Sequence, residues 1–100
     1  MHKLLIHYAS HRMLELTVEN AIKNGATDWY EPIKHFFFIT TDKTLQYWTD
    51  LLSAIIGTFE GKLIIVELRD VTCNGYLPTK EWEWILQNIE GKKPDDQPKT

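Results

Sequence analysis

The chain has 100 residues, of which 43% are hydrophobic and 25% charged, with a net charge of −3 at pH 7. These values are typical of one small globular domain, and the acidic balance argues against a protein that binds nucleic acid through a broad basic face. Cys73 is the single cysteine, so no internal disulfide can form, and a reducing, cytoplasmic setting is expected.

Two further features bound the organisation of the chain. No stretch approaches the roughly 20 consecutive apolar residues of a membrane span, so no membrane partner is expected. The final ten residues, GKKPDDQPKT, are charged and contain two prolines, which predicts a disordered tail over 91–100. Residues 1–90 are then expected to form a single domain.

The first elements are predicted to be a strand and a helix. Residues 3–9 form a short apolar run, which is typical of a buried strand. Residues 11–24 carry apolar side chains at helical spacing, and Gly25 is expected to cap the end of this helix. The helical stripe consists of Leu14, Val18, Ala21 and Ile22.

The middle of the chain predicts two strands and a second helix. Pro32 has no N–H to donate to a strand partner, so we expect a short strand at 29–31, a bend, and a stronger strand at 35–41. Thr41 or Asp42 is expected to cap the following helix. The apolar stripe of that helix consists of Leu45, Trp48, Leu52, Ile55 and Ile56.

The last third of the chain predicts a strand, a turn and a short helix. Residues 62–70 are the strand, Asn74 and Gly75 form a strong turn dipeptide, and Pro78 suits the first turn of a helix. Trp84 lies about 200° around this helix from Trp82 and so points roughly the other way. The apolar stripe consists of Trp82, Ile85, Leu86 and Ile89.

The order of these elements predicts an α+β protein with the ferredoxin-like βαββαβ fold, an antiparallel sheet and an additional C-terminal helix. In the strands at 35–41 and 62–70, both the odd-numbered and the even-numbered positions carry apolar residues. A strand with one face in solvent would instead alternate apolar and polar residues. The second face is therefore expected to be covered, either by the terminal helix or by a second protomer. A symmetric homodimer, with the C-terminal segment at the interface, is the interpretation we favour.

The aromatic residues supply the candidate interface. Phe36 and Phe38 must share one face of their strand, while Phe37 and Ile39 share the other, and the pattern alone does not decide which pair faces the helices. A large apolar surface that the core does not absorb is typical of an interface. The predicted interface or binding residues are Phe37, Ile39, Tyr76, Trp82 and Trp84.

Catalytic and metal sites find little support in the sequence. His7, His11 and His35 together would be a ligand set for zinc or copper, but their spacing crosses a strand-to-helix boundary and no thiol or carboxylate stands at a telling distance. Surface or partly buried histidines are the favoured interpretation, and Cys73 is interpreted as an ordinary turn cysteine. No catalytic residue, metal or cofactor is predicted, and nucleic acid is the weaker choice of partner.

Four stretches of the sequence, LLIHYA, DWYEPIKHFFFITTD, LIIVELRD and GYLPTKEWEWI, are spread over residues 3–85. Together they resemble the SinR-like group of small proteins, which is related to the CRISPR-associated spacer-acquisition protein. The resemblance implies a ferredoxin-like fold and a dimer built by packing sheet on sheet. In the nuclease-like members an aspartate that ends strand one is proposed to hold a metal ion, and here Tyr8 and Ala9 stand at that end.

Three functions are therefore open. We favour a non-catalytic homodimer that acts as a binding module, because apolar and aromatic residues are in surplus and the aspartate of the nuclease-like members is missing. The alternative is a metal-dependent endonuclease that uses another carboxylate, such as Asp28 or Asp70. A third possibility is a module that binds a defence or toxin component through the tryptophan helix.

Overall fold

The architecture is seen in a computed structural model, which describes residues 1–57 and 61–91; the predicted tail lies outside them except for Gly91. A 3-10 turn at Arg12–Leu14 precedes the first helix, and a turn of π type at Leu86–Glu90 extends the last one. The strands and helices are β1 (His2–Ala9), α1 (Glu15–Gly25), β2 (Asp28–Ile33), β3 (Phe36–Thr41), α2 (Leu45–Ile56), β4 (Lys62–Glu67) and α3 (Thr79–Ile85).

The four strands form one antiparallel sheet in the order β2-β3-β1-β4. This order, with a helix after β1 and another after β3, is the ferredoxin-like arrangement, so the predicted fold class is confirmed. The centre of the sheet is the row in which Ile6 of β1 pairs with Phe37 on one side and Ile65 on the other.

The second strand differs from its prediction. It continues through Pro32 to Ile33, with an irregular register between Tyr30 and Ile33. Because β2 lies at the edge of the sheet, the missing N–H of Pro32 costs little, which the sequence could not show before the strand order was known. The chain reverses instead at Lys34 and His35, and His35 has a φ of 69°.

The main core lies between the inner face of the sheet and the helices α1 and α2. The apolar stripes predicted for these two helices are buried there, with Val18, Ile22 and Trp48 fully enclosed. On β3, the side chains that face the helices are those of Phe37 and Ile39. The buried members are Leu4, Ile6, Tyr8, Val18, Ile22, Phe37, Ile39, Trp48, Leu52 and Ile56.

The cap of the second helix was placed a few residues too early. The side chain of Thr44 accepts a hydrogen bond from the Tyr47 amide at 3.1 Å, which is the geometry of an N-cap. Thr41 is instead fully buried, and its hydroxyl oxygen accepts from the indole Nε1 of Trp48 at 3.0 Å. Thr41 is thereby used to satisfy a buried tryptophan rather than a helix end.

Gly25 is also used differently from the prediction. It is the last residue of α1, followed by an extended Ala26, and it is not among the residues with a left-handed φ. A β-carbon at this position would lie 2.8 Å from Cη2 of Trp48, which is closer than such atoms approach in proteins. The glycine is required by the close passage of the indole ring rather than by the conformation of a helix cap.

Gly25→Ala is therefore expected to destabilise the protein although alanine is the better helix former. The gain in helix propensity is about 1 kcal/mol, while displacing a packed side chain costs about 1–3 kcal/mol. Urea unfolding followed by circular dichroism measures the net change in the free energy of unfolding. Asn24→Ala, at an exposed neighbouring position, is the control and is expected to change stability by less than about 0.5 kcal/mol. A Gly25→Ala variant as stable as the wild type would contradict the close contact.

The terminal helix covers part of the outer face of the sheet. Trp82, Ile85 and Ile89 are buried against Phe38 and other outer-face residues. The Nζ of Lys3 donates to the carbonyl oxygen of Ile89 at 3.0 Å, which holds the end of this segment on the sheet. Of the two covers predicted for the second face, the terminal helix accounts for one: it covers the part around Tyr30 and Phe38 and leaves the row through Phe36 open.

Within residues 1–57 and 61–91, no helix combines the length and the apolar character that crossing a membrane requires.

Candidate functional site

The half of the outer face that α3 leaves uncovered carries an apolar row across all four strands. In register, Ile33 of β2 pairs with Phe36 of β3, Phe36 with His7 of β1, and His7 with Ile64 of β4. Ile33 is 70% exposed and Ile64 57% exposed, and His7 is exposed as well. Side chains at paired positions point to the same face, so these four residues form one continuous strip.

A second row extends the strip towards the terminal helix. Leu5 pairs with Phe38 on one side and with Val66 on the other, and Val66 is 41% exposed. The ring of Phe36 contacts those of His7 and Phe38, each at 5.5 Å between centroids. None of the residues of this surface, which we call the open face, is Asp, Glu, Lys or Arg. The open face consists of Leu5, His7, Ile33, Phe36, Ile64 and Val66.

Three of the five predicted interface residues lie in the interior instead. Phe37 and Ile39 have no exposed surface, because their parity of β3 faces α1 and α2. Trp82 is 7% exposed and fills the space between α3 and the sheet. The prediction is corrected for these three residues, since an enclosed side chain offers no surface to a partner.

Trp84 fastens the terminal helix to the edge strand. Its ring packs on Tyr30 at 5.7 Å between centroids, and its Nε1 donates to Oδ2 of Asp28 at 3.0 Å. The hydroxyl of Tyr30 donates to the carboxylate of Glu81, and burial together with this hydrogen bond raises the pKa of Tyr30. The half-buried Trp84 is therefore occupied within its own chain.

Tyr76 is the predicted interface residue that remains at the surface, with 97% of its area exposed. It lies at the rim of a cavity of about 230 Å³ between the segment before α3 and the sheet, and Phe38, Trp82 and Cys73 contribute to the cavity wall. Phe38 and Phe36 are two residues apart on β3, so their side chains lie on the same face, and the cavity and the open face share one side of the sheet.

Cys73 has the surroundings of a structural cysteine. Its amide donates to Oε2 of Glu90 at 2.8 Å. Burial and the neighbouring Glu90 carboxylate both raise the pKa of the thiol. The thiolate that a nucleophilic cysteine needs is accordingly disfavoured.

The three histidines considered as a ligand set are not brought together. His7 is on the outer face, the ring of His35 packs on Tyr8 at 4.8 Å on the inner side, and Nδ1 of His11 accepts from the Met13 amide at 3.2 Å. In the described part of the chain, no group of three or more His, Cys, Asp or Glu residues is arranged to hold a metal ion. Asp70, one of the carboxylates considered for a nuclease, is exposed at a φ of 50°.

The open face was missed by sequence analysis except in outline. The signal was present in the run LIIV at 63–66, where both parities are apolar. Choosing between them required the register of β4 on β1, which turns Leu63 and Ile65 towards the core and leaves Ile64 and Val66 outside.

Comparison of the chain with family models, with curated proteins and with solved structures gave no significant match. The class that the structure defines is an α+β protein with a ferredoxin-like sheet and a terminal helix on its outer face. The resemblance to the SinR-like group stays a hypothesis.

Proposed function

We propose that the chain is a cytoplasmic, non-catalytic binding module that acts as a homodimer, in which two copies pack their open faces together. The observation that carries the proposal is the uncharged strip of Ile33, Phe36, His7 and Ile64, which crosses the whole sheet with its two end residues more than half exposed. Burial of such area contributes roughly 25 cal/mol per Å². A domain of this size has little core of its own, so the added burial matters.

A second copy is the occupant that best matches the chemistry of the open face. A two-fold axis brings the same patch of both copies together, so an uncharged apolar patch complements itself. Nucleic acid would need a row of basic residues, and the open face itself has no Lys or Arg; Lys62, two residues from Ile64 on the same face of β4, is a single basic residue at its rim. A standard interface buries roughly 800 Å² on each partner, so the rim of the open face, including Tyr76, would take part. The resulting dimer would then bind a protein partner.

The test compares one substitution on the open face with a matched one elsewhere. Light scattering on the wild type is expected to give twice the chain mass of 11.8 kDa. Ile64→Glu places a charge at one end of the apolar strip, within the proposed interface, and we expect a folded monomer whose dimer affinity has fallen at least about 100-fold. Leu16→Glu, on α1 and 64% exposed, introduces the same charge away from the open face and is expected to remain a dimer.

Two results would contradict the proposal. A monomeric wild type at micromolar concentration, or equal behaviour of Ile64→Glu and Leu16→Glu, would remove the open face as the interface. Cleavage of RNA or DNA with magnesium or manganese that is lost in Asp28→Asn or Asp70→Asn would instead support the endonuclease alternative.

A further inference from the structure

We propose that the cleft between the start of α1 and the β2–β3 turn binds a small zwitterion of the α-amino acid type. The cleft has a volume of about 370 Å³ and shares no residue with the open face. Its polar wall residues are Arg12, Glu15, Glu19, Glu31, Lys34 and His35.

The first observation is a buried hydroxyl behind His35, a residue of the cleft wall; Tyr8 itself does not line the cleft. Tyr8 is 2% exposed, and its hydroxyl has no hydrogen-bond partner among the described residues. Burial and the charges of Glu19, Glu31 and Glu15 raise the pKa of Tyr8 to about 12. The group therefore stays a neutral hydroxyl that can donate or accept, and an enclosed hydroxyl without a partner is costly.

The second observation is the strained histidine that stacks on this tyrosine. His35 has a φ of 69°, a conformation that glycine or asparagine adopts more easily. Its amide donates to Oε2 of Glu31 at 3.0 Å, and its carbonyl oxygen accepts from the Tyr8 amide at 3.1 Å. Its Nε2 is buried without a hydrogen bond in the described part of the chain and lies 3.8 Å from Oε1 of Glu15. An imidazole kept at a strained position, with one nitrogen that makes no hydrogen bond in the described part of the chain, points to a use for the ring.

The third observation is the arrangement of charge between the inside and the mouth of the cleft. The side chain of Glu15 is 31% exposed, whereas that of Lys34 is 77% exposed and Arg12 is also at the surface. Nζ of Lys34 is 4.0 Å from Oε2 of Glu15, so opposite charges are adjacent. Glu19 is already paired with Lys23 at 2.8 Å.

This arrangement selects among small ligands. A simple cation would meet Arg12 and Lys34, and a simple anion would meet the carboxylates. A ligand with an ammonium beside a carboxylate satisfies both, with its ammonium towards Glu15 and Glu31 and its carboxylate towards the two basic residues. The 64% exposed Leu16 at the same cleft offers contact to an apolar side chain of the ligand.

The experiment titrates ¹⁵N-labelled protein with three matched compounds and follows the amide resonances. L-leucine carries both charges, 3-methylbutylamine lacks the carboxylate, and 4-methylpentanoate lacks the ammonium. L-leucine is expected to shift amides of residues 12–19 and 31–36, and each analogue is expected to bind at least about tenfold more weakly, since a charge-assisted hydrogen bond is lost.

Two variants test the residues that carry the proposal. Tyr8→Phe removes only the buried hydroxyl, and Glu31→Gln removes a charge while keeping an oxygen for the His35 amide. Glu31→Gln is expected to weaken L-leucine binding about tenfold and decides the matter, because Glu31 lines the cleft; Tyr8→Phe acts only through the His35 ring that stacks on it, so a smaller loss is expected there. Glu67→Gln, whose carboxylate accepts from Arg69 outside the cleft, is the control and should bind L-leucine as the wild type does.

The proposal is overturned if L-leucine shifts no amide of the cleft at concentrations up to tens of millimolar, or if all three compounds act equally. Magnesium alone shifting the same amides, with no effect of L-leucine, would assign the cleft to a simple cation and overturn it as well.

Discussion

Replacing Trp48 by alanine is expected to lower the free energy of unfolding by about 3–5 kcal/mol. The side chain is fully buried between α1 and the sheet, with Gly25 against its ring and its Nε1 bonded to Thr41. Its removal leaves a cavity and takes the Nε1 donor away from Thr41 Oγ1. The total free energy of unfolding of a small domain is about 5–15 kcal/mol, so the variant should be partly unfolded at 37 °C.

Urea unfolding followed by far-ultraviolet circular dichroism measures this effect without relying on tryptophan fluorescence. Tyr47→Ala is the matched control because it removes the neighbouring aromatic residue of the same helix, which is 43% exposed. Its cost is expected to be below about 1 kcal/mol. Equal losses for Trp48→Ala and Tyr47→Ala would show that Trp48 is not the centre of the core.

The second large effect is expected at Trp82, where alanine should release the terminal helix without unfolding the sheet. The residues that α3 buries form a cluster separate from the main core. Trp82 is its largest buried side chain, and truncation costs about 3–5 kcal/mol. Because that loss falls on one cluster, we expect a local opening rather than a global one.

Native-state hydrogen exchange distinguishes the two outcomes. In Trp82→Ala the amides of residues 79–90 are expected to exchange at least about 100-fold faster, while those of β1 and β3 keep most of their protection. Trp84→Phe is the control, because it keeps a ring against Tyr30 and loses only the bond to Asp28, for about 1 kcal/mol. Uniform loss of protection over helix and sheet would mean that the two clusters open as one unit.

The outer face links these two effects to the proposed function. Release of α3 would expose Phe38 and Tyr30, which adjoin the open face on the same side of the sheet. A larger apolar surface favours association. Trp82→Ala is therefore a poor test of the dimer, and Ile64→Glu, which leaves α3 in place, is the better one.

Element types and their order could be read from the sequence because they depend on local periodicity. The stripe from Leu45 to Ile56 repeats at the helical period, and the run at 62–67 has the composition of a strand, so each element is specified by residues close in the chain. The split βαββαβ order then left few topologies, and the ferredoxin-like sheet is among the commonest of them.

Only the tertiary structure decided which face of the sheet each strand residue occupies and which residues far apart in the chain come into contact. Phe36 and Phe37 are chemically identical neighbours, and the pairing of β3 with β1 alone turns Phe37 into the core and Phe36 outwards. The same pairing brings His35 onto Tyr8, although 26 residues separate them. No local sequence pattern predicts such contacts, because they depend on the register between strands. Periodicity, by contrast, depends only on the geometry of a single helix or strand.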